Sequence, residues 1–333
     1  MVNKSPTLMD VAKKAGVSHQ TVSRVVNGNK NVSEKTRKKV FKFLEEMEYV
    51  RNQAARSLAT GRTSKIGILG METTLYGPTI IFHDIQVAAR KAGYDLIIEL
   101  TKDIDDTSVS DGIRHLIEHG VDGIVVITPQ ANGSTNLQSL KIKIPIVVHE
   151  GKRTDYISIV SSNQFKGGVL ATEHLINLGH KNIGHLGGPL TFFEATERHR
   201  GWETALSRSG LPAARYLVGD WSAQSGYELT FDLLQDLSMT AIFVANDAMA
   251  LGAMKAISEL GLKVPDNVSL VGYDNSPETP YLIPALTTVD QRFDLLASNS
   301  INQLIKFLNS KSSKSTITHI SPELIIRGSS AAP

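Results

Sequence analysis

Residues 7–27 read TLMDVAKKAGVSHQTVSRVVN and predict two short helices joined by a tight turn. The apolar side chains of the first helix recur at i, i+3, i+4 and i+7, which places on one face the residues Leu8, Val11, Ala12 and Ala15. Thr7 and Asp10 form a capping box at the start of this helix, Gly16 ends it, and Ser18 caps the second helix. The pattern is that of a helix-turn-helix.

The second helix has Val22, Val25 and Val26 on its apolar face, and a third helix begins after Ser33. The apolar residues of this third helix repeat the same spacing: Val40, Phe43, Leu44 and Met47. Because helices this short are marginal in water by themselves, the three must pack together. The sequence therefore predicts a three-helix domain over residues 1–50.

The outward face of the second helix is polar, and its side chains can reach base edges or phosphates in a major groove. These residues are His19, Gln20, Thr21, Ser23 and Arg24. An ordinary solvated helix face would look the same, so charge is the deciding observation. Residues 1–63, the head, hold 13 Lys or Arg and 5 Asp or Glu, a net charge of +8, which leaves 22 against 28, a net of −6, in the other 270 residues. A basic head on an acidic remainder favours a module that binds the phosphates of DNA.

Residues 51–63 carry Arg, Ala and one large apolar side chain, Leu58. Such a segment is either a plain linker or a short helix that folds when a partner supplies the missing contacts. The Arg content favours the second interpretation, since minor-groove proteins insert an apolar side chain between base steps. We therefore predict a hinge helix and linker over residues 51–63.

From Lys65 onward, short β-rich runs alternate with amphipathic helical stretches. The predicted strands are Ile66–Leu69, Leu96–Leu100, Gly123–Ile127, Ile146–Val148, Ile157–Val160, Ile183–Leu186, Ala241–Val244, Ser269–Val271 and Leu324–Ile326. The helical stretches between them are 80–92, 165–178, 198–209, 224–236, 247–260 and 293–308. Alternation predicts parallel sheets wrapped by helices, and residues 64–330 are too many for one such sheet. The expected fold class is α/β, with an all-α head and two doubly wound lobes.

Polar residues follow several of these strands, at the sheet edge where ligands of such folds bind. Glu150, Asn246 and Asp274 each follow a strand closely, and each is equally compatible with a helix cap or a turn, while Asp247 is expected to be an N-cap. Three further candidates complete the set: Arg198, Trp221 and Phe293. Arg and carboxylate side chains bind neighbouring hydroxyls, and an aromatic face packs on a sugar ring, so the set suits a polyol or pyranose.

The composition excludes several kinds of protein. The chain has no Cys, which rules out disulfides and a zinc finger in the head, and its ten His show no metal-ligand spacing. A glycine-rich nucleotide motif is also missing, so neither a cofactor nor a metal is expected. The N-terminus lacks the apolar core of a signal peptide and no apolar run is long enough to span a membrane, so a cytoplasmic protein without a membrane partner is expected.

The chain resembles the lac repressor / gal repressor family of bacterial transcription regulators along essentially its whole length. The matching motifs are Leu8–Ser18, Thr21–Asn27, Val32–Arg37, the hinge-like segment Asn52–Ala59, and the run Leu178-Gly-His-Lys-Asn-Ile183. The resemblance implies that residues 64–330 form two lobes of the periplasmic-binding-protein type. Lobe one would be 64–161 plus 293–319, and lobe two 162–292 plus 320–330.

The resemblance also implies roles for individual residues. Gln20 and Arg24 would read bases, with Leu58 as the minor-groove wedge, and the other expected DNA contacts are Asn27, Asn52 and Ala55. The residues that would contact an inducing sugar are Arg198, Trp221, Asn246, Asp274, Gln291 and Phe293, to which Glu150 is added from its place after a strand. The residues that depart from the family pattern are His19 in the head and Arg90, Ile127 and Glu150 near the expected sugar site, which leaves the operator and the sugar open. No heptad repeat follows the last strand, which implies a homodimer.

The expected function is a ligand-responsive DNA-binding regulator, a repressor of a sugar-utilisation operon that is released from duplex operator DNA by a galactoside-like inducer. The alternatives are a regulator whose ligand is a co-repressor, and a sugar-binding protein without a DNA role, which would leave the basic head unexplained. An enzyme is not expected, because the sequence shows no nucleophile with its base, no close carboxylate pair and no metal spacing.

Overall fold

The computed structural model describes residues 6–26, 28–29, 31–49, 57, 61–102, 105–127, 142–150, 157–310 and 315–333. Its internal contacts divide the chain into two compact units, Met1–Thr63 and Ser64–Pro333. The first unit is the head, and we call the second the body.

The described residues of the head form three helices, α1 (Leu8–Ala15), α2 (His19–Val26) and α3 (Glu34–Glu46). The capping box at the start of α1 is present, since the side chains of Thr7 and Asp10 each accept a hydrogen bond from the other's backbone N–H. Gly16 ends α1 with a left-handed φ of 61°, where a residue without Cβ is least strained. The buried core is made of small side chains: Val11, Ala12, Ala15, Val22, Val25 and Val40. The predicted helix-turn-helix is confirmed.

Two six-stranded sheets form the framework of the body. The strands of the first sheet are β1 (Lys65–Met71), β2 (Asp95–Thr101), β3 (Gly123–Ile127), β4 (Ile146–His149), β5 (Ser158–Ser162) and β11 (Ile317–Ile320). They are all parallel, in the order β11-β5-β4-β3-β1-β2. The second sheet contains β6 (Ile183–Gly187), β7 (Tyr216–Val218), β8 (Ala241–Val244), β9 (Ser269–Tyr273), β10 (Thr287–Asp290) and β12 (Glu323–Ile325). Its order is β12-β10-β9-β8-β6-β7, and the edge strand β12 is antiparallel to β10. The predicted α/β fold class with two doubly wound lobes is confirmed.

Helices cover both faces of each sheet. They are α4 (Tyr76–Lys91), α5 (Asp106–Glu118), α6 (Gln164–Asn177), α7 (Phe193–Arg208), α8 (Ala223–Leu233), α9 (Asp247–Glu259) and α10 (Phe293–Asn309), with a 3₁₀ turn at Thr279–Tyr281. In the first lobe, α4 and α10 pack on one face of the sheet and α5 on the other. In the second lobe, α8 and α9 lie on one face and α6 and α7 on the opposite face. Each sheet therefore has two apolar layers, as expected for strands buried on both sides.

The chain passes between the lobes three times, after β5, after β10 and after β11. Ser162 in β5 and Ile320 in β11 are the last residues of the first sheet before two of these crossings. Because the parallel strands of both sheets end near these crossings, residues far apart in sequence meet at one cleft. This cleft holds the candidate site of the body.

Three strands and one helix were not predicted from the sequence: β7, β10, β11 and α5. Strand β10 begins with Thr287 and Thr288, which are fully buried. Their hydroxyls are satisfied within the protein, since that of Thr287 bonds with Ser330 and that of Thr288 donates to Asp247. Apolar periodicity does not detect such a strand. Strands β7 and β11 are short strands at the sheet edges, of three and four residues, and none of their residues is fully buried.

Among the helices in the described part of the chain, none is both long and apolar enough to cross a membrane.

Candidate functional site

The polar face of α2 is the candidate surface of the head. Of the five side chains predicted to face DNA, three are exposed and two are half-buried: His19, Gln20 and Arg24, then Thr21 and Ser23. Val22 and Val25 are buried on the opposite side of α2 and hold the polar face outward. The hydroxyl of Thr21 lies 2.9 Å from that of Ser18, so it also takes part in the start of the helix. Asn27, Asn52, Ala55 and Leu58 lie outside the described residues.

Exposed cations accompany this face. Six Lys side chains of the head are exposed among its described residues: Lys13, Lys14, Lys35, Lys38, Lys39 and Lys42. A domain with exposed lysines can bind phosphates, and the exposed polar side chains of α2 can contact base edges.

The body contains a pocket of about 780 Å³, including its open mouth, at the ends of the strands of both sheets. All seven residues that the sequence pointed to line this pocket: Glu150, Arg198, Trp221, Asn246, Asp274, Gln291 and Phe293. Glu150 follows β4, Asn246 follows β8 and Asp274 follows β9. The pocket is therefore built where the parallel strands end, as in other open α/β folds.

A chain of buried hydrogen bonds connects the polar residues across the cleft. Gln164, at the first position of α6, donates from Nε2 to Glu150 Oε1 at 3.2 Å and to Gln291 Oε1 at 2.7 Å. Gln164 Oε1 accepts from Arg198 Nε at 2.9 Å, and Gln291 Nε2 donates to Asp274 Oδ1 at 2.5 Å. Loss of one member leaves its partners unpaired in a buried site, which costs more than the bond itself.

Arg198 is the centre of this network. Its Nη1 donates to the carbonyl of Ala245 at 2.5 Å and its Nη2 lies 3.9 Å from Asp274 Oδ1. The guanidinium also lies 3.8 Å from the ring centroid of Tyr273, a cation–π contact. Gly168 of α6 lets α7 approach this closely, because a Cβ there would lie 2.3 Å from the carbonyl oxygen of Arg198.

Trp221 and Asn246 form the adjacent wall. The Nδ2 of Asn246 donates to the carbonyl of Trp221 at 3.0 Å, while its Oδ1 caps α9 by accepting from the backbone N–H of Met249. The prediction that Asp247 is this N-cap is wrong. Asp247 is the first residue of α9, and its carboxylate accepts hydrogen bonds from Thr288 Oγ1 and from the backbone of Ser276.

Three lining residues have a positive φ, which residues other than glycine rarely adopt: Glu150 with φ 62°, Trp221 with φ 73° and Asp274 with φ 108°. Such conformations are strained and persist where the surroundings enforce them, which is common at ligand sites. A Cβ at Gly188 would lie 2.2 Å from the indole of Trp221, so this ring packs directly on backbone.

Burial controls the charges in the pocket. It raises the pKa of Asp274 to about 6, although the nearby Arg198 guanidinium acts in the opposite direction. Burial lowers the pKa of His149 to about 4, so this imidazole is neutral near pH 7. Burial also raises the pKa of Glu150 to about 8 and that of Glu194 to about 7.

Several lining residues were missed in the sequence. The polar ones are Gln164, Glu194 and His149, and the aromatic ones include Tyr76, Phe82 and Phe192. Gln164 and Glu194 stand in the first turns of helices, where a polar residue is ordinary, so no local pattern identifies them. The pocket also brings Glu150 and Glu194 together, although the sequence showed no close carboxylate pair.

Arg90, expected near the sugar, is instead exposed in the last turn of α4 and is not part of the lining, whereas Ile127 is. The described residues contain no cluster of His, Asp and Glu that could hold a metal ion.

Comparison with known families and proteins gives consistent matches. A family model described as bacterial regulatory proteins, lacI family, matches residues 7–52. A model described as a periplasmic binding protein-like domain matches residues 172–330.

Individual proteins match along nearly the whole chain. The lactose operon repressor of Escherichia coli strain K12 is 36% identical over 306 residues, which cover 91% of this chain and 85% of that protein. The HTH-type transcriptional repressor PurR of Pasteurella multocida strain Pm70 is 35% identical over 97% of this chain and 98% of its own length. The crystal structure of the lac repressor dimer bound to operator and the anti-inducer ONPF superposes with a TM-score of 0.88 at 33% identity, covering 99% of this chain and all of that one.

Proposed function

The chain belongs to the lacI family of bacterial regulatory proteins and is a DNA-binding transcriptional repressor. We propose that a sugar bound in the body pocket releases this repressor from its operator. The head supplies the exposed polar face of α2 for base contacts, and the exposed lysines for phosphates. The relatives named above are repressors and not enzymes, so the enzyme alternative is set aside.

Membership of the family does not decide the effector, because its members include both the lactose operon repressor and the PurR repressors. The two candidate effectors are a sugar and a purine base. The observation that carries the proposal is the set of Arg198, Asp274 and Asn246 at one end of the pocket beside the Trp221 ring. Guanidinium, carboxylate and amide groups bind adjacent hydroxyls in pairs, and an indole face packs on the apolar face of a pyranose.

The arrangement of the aromatic rings supports a sugar as well. Phe192 meets Trp221 at 79° with ring centroids 5.8 Å apart, and Tyr76 meets Phe293 at 79° and 6.0 Å. Neither pair offers two parallel faces between which a flat base could stack. The remaining apolar lining, which includes Leu75, suits the carbon skeleton of a sugar or its aglycone.

We further propose that the body forms a homodimer. Tyr281 and Ile283, two residues apart in the chain, are 84% and 96% exposed, and a second copy of the chain could cover them. The solved lac repressor structure named above is a dimer on operator. Two copies would present two α2 helices to two half-sites of a near-palindromic operator, and binding to chromosomal DNA would place the protein in the cytoplasm.

The effector test uses the emission of Trp221. The full chain is titrated with hexoses, galactosides, hexosamines and purine bases, and the Trp221→Phe variant serves as control because Trp202 is the only other tryptophan. We expect a sugar to change the emission of the native chain and not that of the variant. An emission change that survives in the variant contradicts the pocket assignment, and binding of a purine alone contradicts the sugar.

The direction of the response is measured separately, by fluorescence anisotropy on labelled operator. We expect the bound sugar to lower operator affinity, since induction needs a ligand that favours a state with weaker DNA binding. Tighter operator binding in the presence of the sugar would make the ligand a co-repressor.

A further inference from the structure

Two carboxyl groups in the effector pocket each have an oxygen without a partner among the residues that the structure describes. The Oε2 atoms of Glu150 and Glu194 are both shielded from solvent and accept no hydrogen bond from any described residue. Both residues line the pocket, and Glu150 as a whole is only 7% exposed. Buried carboxylate oxygens without partners are rare, because the desolvation of such a group is costly.

The free oxygen of Glu150 is held in place by the bonds of the other one. Glu150 Oε1 accepts from the backbone N–H of Ser162 at 2.8 Å and from Gln164 Nε2 at 3.2 Å. These two contacts fix the plane of the carboxyl group, and Oε2 is left for a molecule in the pocket. Glu194 stands in the first turn of α7, where the helix dipole favours a negative charge.

Among the described residues, the pocket lining contains fewer cations than acids. These lining residues supply three carboxyl groups, those of Glu150, Glu194 and Asp274, and one guanidinium, that of Arg198. Arg198 lies beside Asp274, and two of its N–H groups donate hydrogen bonds to Gln164 and to the carbonyl of Ala245. His149, the other basic residue of the lining, is kept neutral by burial. Glu150 and Glu194 are therefore left without a matching charge.

Their titration agrees with this imbalance. Burial is the main reason that the pKa of Glu150 rises to about 8, and the negative charge of Glu194 raises it further. Burial likewise raises the pKa of Glu194 to about 7. A positive charge between the two groups would reverse both shifts and favour the ionised forms.

We propose that the effector is an amino sugar whose ammonium group binds between the carboxyl groups of Glu150 and Glu194. This inference rests on the proposed function, since it specifies which sugar the pocket binds. An ammonium carries three N–H donors and one positive charge, so it can donate to both free oxygens and supply the missing cation. A hydroxyl at the same place donates one proton and leaves two acids without a counter-charge. Arg198, Asp274 and Asn246 remain available for the hydroxyls of the ring.

The test compares three forms of the same sugar on the full chain at pH 7. The probes are 2-amino and 6-amino hexoses, the neutral parent hexoses, and the N-acetyl derivatives, which keep the bulk of the amine but lose its charge. We expect at least one amine to bind tenfold or more tighter than both of its uncharged counterparts. Calorimetry in buffers of different ionisation enthalpy should show protons released on binding of the amine and not on binding of the parent, because at pH 7 Glu150 is mostly protonated and Glu194 partly so, and the cation favours the ionised form of both.

The variants Glu194→Gln and Glu150→Gln remove one charge each and preserve the shape of the side chain. Each should reduce the preference for the amine over the neutral parent tenfold or more and remove part of the proton release. Glu197→Gln is the matched control, since Glu197 lies on the same helix, pairs with Arg200 and is not part of the pocket lining. It should leave the preference unchanged.

The outcomes separate the two proposals. Equal or tighter binding of the neutral sugars overturns the amino-sugar inference and leaves the sugar-responsive repressor standing. A preference for the amine that persists in both glutamate variants also overturns it, because the cation would then lie elsewhere. Binding of a purine base and of no sugar overturns both proposals.

Discussion

The head and the body bind their targets with side chains in opposite environments. Among the described residues of the head, the fully buried side chains are no larger than Val, and the candidate DNA contacts on α2 are exposed or half-buried. The body buries Trp202, Tyr273 and Phe243 completely, and most of the polar residues of its pocket are buried as well. The two regions also differ in charge, with +8 in residues 1–63 and −6 in the rest.

In the head, the residues that recognise DNA are therefore distinct from those that stabilise the fold. In the body, the residues that bind the ligand also take part in the buried network that stabilises the fold. An exposed side chain on α2 contributes little to the packing of the head, so its removal should disturb the fold little. Removing a pocket residue leaves buried donors and acceptors unpaired, so the same substitution disturbs the network as well as the ligand. The net charge differs in the same way, because the head is positive, which favours phosphates, and the body is negative.

Deletion of the head is expected to have the largest effect on DNA binding. A chain of residues 64–333 should dimerise but lose operator binding by about a thousandfold or more, since the groove-reading helix and the positive charge both lie before it. Mobility-shift assays at several salt concentrations measure this, and the affinity of the full chain should fall steeply with salt. Tight, salt-insensitive binding by the truncated body would show that the two regions do not divide the work.

Arg198→Ala tests the coupling within the body. The substitution removes the donor to Gln164 and the neighbour of Asp274, at about 1–3 kcal/mol for each group left unpaired, so the response to sugar should be lost. Operator affinity without sugar should stay nearly unchanged. Arg200→Ala is the control, because Arg200 is exposed two residues further along α7. The assignment fails if both variants respond to sugar like the native chain.

Leu58→Ala examines the junction between head and body. If Leu58 is inserted between base steps, its loss should weaken operator binding by about 2 kcal/mol, roughly thirtyfold, and should weaken binding to random DNA much less. The reason is that wedge insertion is favourable only where the site deforms easily. Anisotropy titrations on both duplexes measure the ratio. Equal losses on the two DNAs would identify the segment as a plain linker.

The smallest expected effect is a pH dependence of body stability. Burial and the nearby charge of Asp274 raise the pKa of Asp247 to about 8 in the folded body, well above the ordinary value of an unfolded Asp. The folded state then holds a proton that the unfolded chain has released, so stability is highest at low pH and is lost as pH rises towards 8. Buried His149 and His185 have lowered pKa values and act in the opposite direction, but only below their ordinary value near 6.5.

Between pH 6.5 and 8 the unfolding free energy should therefore fall, by about 1 kcal/mol from Asp247, which corresponds to a Tm lower by about 2 °C. Asp247→Asn should reduce this slope without abolishing it, because the raised pKa values of Glu150 and Glu194 act in the same direction, and the exposed Asp266→Asn should leave it unchanged. Thermal melts of the native chain and both variants provide the measurement. A native Tm that rises over this interval would contradict the assigned shift.

The sequence indicated more of the head than of the body's detail. The start of α1, its end at Gly16 and the apolar faces of all three helices follow from residues that are close together in the chain, and the structure shows the same elements. In the body, the strong apolar runs were found, whereas β10 was not, because its buried Thr287 and Thr288 resemble surface residues. The seven candidate pocket residues were recognised either from their place after strands or by resemblance, and they do line one cavity.

The helix-turn-helix, the α/β alternation and the contrast in charge can be read from the sequence, because periodicity, caps and composition depend only on neighbours along the chain. The set of side chains that completes the pocket follows only from the three-dimensional fold. Gln164 meets both Arg198 and Gln291 because the chain crosses between the lobes beside them. Glu194 likewise comes close to Glu150 only through the packing of α7 against the cleft. Such contacts depend on folding in space, since no local pattern records which distant residue a side chain will meet.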